Sequence, residues 1–73
     1  MATRKNSNSK KFYTLVGVDG NAFAVMGYVS HAMKETGFSK EEISEYTKRA
    51  TSGDYNNLLA TSCDYIHQCN ERI

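Results

Sequence analysis

Residues 12 to 18, Phe-Tyr-Thr-Leu-Val-Gly-Val, read as a single β-strand in a chain whose remainder carries helical periodicity. A strand presents a row of backbone donors and acceptors that must be paired or wetted, and even an isolated two-stranded hairpin is marginal in water. Alternation sends Phe12, Thr14, Val16 and Val18 to one face and Tyr13, Leu15 and Gly17 to the other, so both faces carry apolar groups. The expected fold class is therefore α+β. It comprises one N-terminal strand followed by three α-helices (β-α-α-α), with the strand paired between the subunits of a two-fold homodimer. Length points the same way, since at 73 residues a single core only just offsets the entropy of ordering the chain.

Charge divides the chain into two regions. Residues 1 to 11 hold Arg4, Lys5, Lys10 and Lys11 and no acid, which reads as a disordered basic tail. Residues 12 to 73, read as one small domain, hold five basic and eight acidic residues, a net of −3. A nucleic-acid binder carries its basic patch on the folded face, so nucleic-acid binding would fall to the tail. No apolar run is long enough for a membrane span, and the N-terminus lacks the apolar segment of a signal peptide, which places the protein in the cytoplasm.

Helix boundaries are well punctuated for a chain without proline. Asp19-Gly20 reads as a tight turn, Asn21 as the N-cap of a helix starting at Ala22, and Gly37 as its left-handed stop. Ser39 and Glu42 have the spacing of a capping box, with Phe38 and Ile43 placed for a hydrophobic staple. That second helix should run to about Ser52 and be closed by Gly53. Asp54 then caps a third helix from Tyr55 towards Asn70. At 100° per residue, Ala22, Val25, Met26, Val29, Ala32 and Met33 form the core stripe of the first helix. The third gathers Tyr55, Leu58, Leu59, Ser62, Ile66 and Cys69. The second has only Ile43, Tyr46, Thr47 and Ala50, and is the weakest element.

The segments Val18-Asp19-Gly20-Asn21-Ala22-Phe23, Ser39-Lys40-Glu41-Glu42-Ile43 and Ser52-Gly53-Asp54-Tyr55-Asn56-Asn57-Leu58-Leu59 resemble a group of short uncharacterised proteins of bacteria, phages and mobile elements. The resemblance covers residues 12 to 66. It implies a compact intracellular protein encoded by a phage or plasmid, and it carries no activity and no catalytic residues.

Few residues are disposed for chemistry. Cys63 and Cys69, six apart in one helix, are separated by roughly 9 Å along its axis and point about 120° apart, so they cannot bridge each other. They read as structural thiols of a reduced compartment. Cys63 and His67, at i and i+4, could form half a metal site, but four ligands would be reached only across subunits, with His31 or a second copy supplying the rest. No metal, cofactor or catalytic set is therefore expected, and the chain reads as a non-enzyme.

The candidate partner-binding residues are Tyr13, Leu15, Tyr28, His31 and Lys34, because Tyr13 and Tyr28 fall off the core stripe and exposed aromatics favour binding. Gly27, on the same helix, costs around 1 kcal/mol relative to alanine, which makes sense where another backbone comes close. The leading reading is a small oligomeric binding protein that engages a host or phage protein, in the manner of a phage accessory inhibitor of host defence. A second is a sponge for a nucleotide signal at a subunit interface, with Gly20, Asn21, Lys34, Arg49 and Arg72 on phosphate. Asp19 beside Gly20 opposes an anion there. A third is nucleic-acid binding through the basic tail.

Overall fold

The computed structural model describes residues 12–73, and the expected basic tail, residues 1–11, lies outside them. The described residues form three helices, α1 (Ala22–Glu35), α2 (Lys40–Ala50) and α3 (Tyr55–Glu71), with α3 packed against both of the others.

The expected strand is not there, and among the described residues the fold is helical only, which corrects the α+β assignment and the strand-paired dimer built on it. The physical demand was real, but it is met within the chain. Asn70, in the last turn of α3, acts as a one-residue strand: its Oδ1 accepts from the Tyr13 N–H at 2.7 Å and its Nδ2 donates to the Tyr13 carbonyl at 2.9 Å. The Thr14 N–H donates to the Tyr28 hydroxyl at 2.9 Å, and the Val16 N–H to Oγ1 of Thr14 at 3.1 Å.

At Val16 the segment stops running extended. The Val18 N–H closes on the Leu15 carbonyl at 3.1 Å, with Gly17 at φ +86°, the left-handed value a type II turn needs at its third residue. The tight turn thus lies at residues 15 to 18, ahead of the Asp19-Gly20 position expected. Asp19 instead caps the chain locally, its Oδ1 accepting from the Asn21 N–H at 2.9 Å. The period-two exposure survives without a sheet: Tyr13 and Leu15 are half-buried on the helices, whereas Phe12, Thr14 and Val16 face outward. The segment is a strap laid across α1 and α3.

Helix boundaries follow the capping chemistry. Asn21 Oδ1 accepts from the Phe23 and Ala24 N–H groups at the start of α1. Its end is a Schellman motif: Phe38 N–H reaches the Met33 carbonyl at 2.9 Å and Gly37 N–H the Lys34 carbonyl at 3.2 Å, with Gly37 at φ +91°. The reciprocal Ser39–Glu42 capping box opens α2. That helix ends earlier than expected, at Ala50 with Thr51 as its cap. Gly53 takes no left-handed conformation, and the closure comes from α3, where Asn57 Nδ2 donates to the Arg49 carbonyl at 2.8 Å. A Cβ at Gly53 would lie 3.0 Å from Asn57 Cβ, so this closure depends on the missing side chain.

Between the helices lies a core of Val25, Val29, Ala32 and Met33 from α1, Phe38 from the connection, Tyr46 and Ala50 from α2, and Leu58, Tyr65, Ile66 and Cys69 from α3. Ala22, Met26, Ile43 and Leu59 are only partly covered, and Thr47 and Tyr55 are exposed. Tyr65 is the core residue that the stripe omitted. It sits edge-on to Tyr46 at 5.1 Å and to Phe38 at 6.3 Å between ring centroids, forming an aromatic wedge between α2 and α3. Among the described residues, no helix is long and apolar enough to cross a membrane.

Candidate functional site

Among the described residues, two open grooves stand out. The first, about 290 Å³, lies where the start of α1 meets the α2–α3 connection, and its lining includes Met26, Ala50, Asp54, Tyr55 and Leu58. The Tyr55 hydroxyl donates to the Gly20 carbonyl and so ties the start of α3 to the residue beside Asp19. The floor is apolar, from Met26 and Leu58. Asp54 lies on the wall and supplies an acidic group there.

The second groove, about 330 Å³, runs between the strap and α3, with Leu15 and Val16 on one side and Cys63, Ile66 and His67 on the other. Cys63 is an exposed free thiol, and His67 is exposed with Nε2 3.3 Å from a Glu71 carboxylate oxygen. Cys69, by contrast, is a buried free thiol in the core. Among the described residues, no cluster of three or more His, Cys, Asp and Glu side chains is placed to hold a metal.

The expected partner-binding residues divide. Tyr13 and Tyr28 do come together, edge to face at 6.2 Å, but both are half-buried as the strap's attachment. Burial pushes the Tyr13 phenol above its ordinary value, with the Glu35 carboxylate adding to the effect. Leu15 packs on the core and lines the second groove. His31 and Lys34 stand exposed on α1, His31 lying 3.9 Å from Glu35.

The five expected phosphate ligands are scattered. Gly20 and Asn21 sit at the start of α1 and Lys34 thirteen residues on, about 20 Å along the axis. Asn21 spends its side-chain oxygen on the helix cap, and the Gly20 carbonyl is taken by Tyr55. Arg49 donates from Nη1 to the Tyr65 hydroxyl at 3.2 Å, its guanidinium 5.6 Å from that ring. Arg72 stacks 3.6 Å over the Phe38 ring and donates to the Thr36 carbonyl at 3.3 Å. Both arginines serve as covers for the aromatic wedge.

The first groove was missed in the sequence because its walls come from three separate pieces of chain. No family model matches the chain, and neither a curated protein nor a solved structure does.

Proposed function

We propose that the protein is a non-enzymatic protein-binding module, and that its first groove receives an apolar side chain from a basic surface of its partner. The observation that carries this reading is the combination at that groove: an apolar lining of Met26 and Leu58, the half-exposed Tyr55, and the carboxylate of Asp54 on the wall. An apolar centre within a charged rim is the usual anatomy of a protein-recognition patch. The described residues are acidic overall, which steers encounter with a basic partner. At about 290 Å³ and wide open, the groove suits one or two side chains better than an enclosed small molecule. The role proposed for such a module is an accessory one: covering a basic, nucleic-acid-facing patch of a host factor, including a defence factor.

The test is a random peptide library panned against the full chain, with Met26→Glu and Asp54→Lys versions as counter-screens. Enriched peptides should carry an aromatic or aliphatic anchor flanked by Lys or Arg, and should lose about tenfold or more in affinity on both variants. Absence of enrichment over the variants, or peptides indifferent to both changes, would overturn the proposal.

A further inference from the structure

The helices hold the strap by polar contacts that read its backbone rather than its side chains. Asn70 takes both the N–H and the carbonyl of Tyr13, at 2.7 and 2.9 Å, and the Tyr28 hydroxyl accepts the Thr14 N–H at 2.9 Å. Any residue but proline offers these groups. The side chains add a spacing. Tyr13 lies edge-on to the Tyr28 ring at 6.2 Å between centroids, and Leu15, two places on, packs against the core. Phe12, Thr14 and Val16 face outward and are exposed. Alongside runs the open groove of about 330 Å³ that Cys63, Ile66 and His67 line from α3. A backbone reader between two apolar seats, set two residues apart, has the parts of a site for an extended peptide. In such sites main-chain hydrogen bonds supply affinity and alternate side chains supply specificity.

The core does not need the strap in place. None of residues 12–18 is buried, and the buried core comes from the three helices and Phe38. The strap ends in the turn that the Val18 N–H closes on the Leu15 carbonyl, with Gly17 at φ +86°, a single pivot about which residues 12–16 can swing. A segment with few buried contacts opens while the rest of the molecule stays folded.

We propose that the strap fills, from within its own chain, a recognition groove for an extended segment of another protein, and that such a segment binds by displacing it. The occupant's chemistry is read from the strap: an aromatic residue at the Tyr13 place, an aliphatic residue two places on, and no proline at the aromatic place or the one after it. The outward places accept any side chain. Strap and incoming segment compete for the same Asn70 amide and Tyr28 hydroxyl, so the closed strap lowers the affinity of the groove in proportion to the time it spends closed. This site is separate from the first groove, whose Met26, Asp54 and Leu58 take no part in it.

The experiment is fluorescence anisotropy with a labelled, end-capped peptide of residues 12 to 16, Phe-Tyr-Thr-Leu-Val, titrated with the full chain. The chains are wild type, Leu15→Asp, Tyr13→Ala, and each of these two variants with Asn70→Ala added. Both strap variants should keep wild-type helical circular dichroism, because neither residue belongs to the buried core. The peptide should bind each of them about tenfold or more tightly than it binds wild type, whose own strap competes. Adding Asn70→Ala should weaken that binding about tenfold, and a Tyr13→Pro peptide should bind as weakly or not at all. No binding to either strap variant at about 1 mM chain, or binding indifferent to Asn70→Ala, overturns the groove. Equal affinity for wild type and both strap variants overturns displacement.

Discussion

Tyr46 and Ser62 form a buried polar contact in the core, hydroxyl to hydroxyl at 2.7 Å with neither side chain exposed. Removing one partner leaves the other desolvated and unpaired, whereas removing both leaves only a small packing defect. Tyr46→Phe should therefore cost about 1–2 kcal/mol in urea unfolding, and adding Ser62→Ala should recover part of it, giving a coupling of about 1 kcal/mol in the double-mutant cycle. Burial pushes the Tyr46 phenol above its ordinary value of 10.0, with the Ser62 hydrogen bond pulling the other way. The raised folded-state value means that this stabilisation is complete below pH 10 and is lost as pH rises through and beyond it. The Tyr46→Phe chain should accordingly lose less stability in alkali than the wild type.

Residues of this kind were only half legible. Tyr46 and Ser62 fell on their helices' inner stripes, but Tyr65 did not, because its ring enters the core from the edge between α2 and α3 under cover of Arg49. Asn70 reads in the sequence as nothing more than the end of a helix. Its role needs its amide set opposite Tyr13, 57 residues away, and no local pattern encodes that meeting.

At the scale of elements, helix starts were the most legible features, because a cap is a local interaction between residues two or three apart. Asn21, Ser39 and Asp54 each accept from the backbone N–H groups of the turn they open. Ends were less legible. Gly37 carries its own signal through a positive φ, but α2 is closed by Asn57 from the next helix, so Gly53 suggested the wrong mechanism. Glu42 shows what a cap does under titration. The hydrogen bond from the Ser39 backbone holds its carboxyl below the ordinary value of 4.5, with the Ser39 side chain and the Arg72 charge adding to it. A depressed folded-state value gives a stabilisation present in full above pH 4.5 and lost as pH falls through the lower folded value. Between those two values the melting temperature of wild type should fall more steeply with pH than that of Glu42→Gln.

At the scale of the whole molecule, the expected strand was the instructive error. Both faces of residues 12 to 16 carry apolar groups, and only one of them, with Tyr13 and Leu15, lies on the helices. That pattern does not say whether the backbone groups pair with a strand. Here the surface beneath is two helices, and the pairing falls to Asn70, Tyr28 and Thr14. Three helices, two of them short, gain a fourth packing piece this way. The same arrangement removes the strand edge on which the expected strand-paired dimer depended.

The most direct test of this account is amide hydrogen exchange by NMR on the full chain, at concentrations low enough for the monomer and again at high concentration. Internal attachment predicts that the Tyr13 and Thr14 amides are protected in the monomer, that their protection does not depend on concentration, and that Asn70→Ala abolishes it at Tyr13 while Tyr28→Phe abolishes it at Thr14. Amides that exchange freely in the monomer and become protected only as the concentration rises would show pairing between chains, and would contradict the strap.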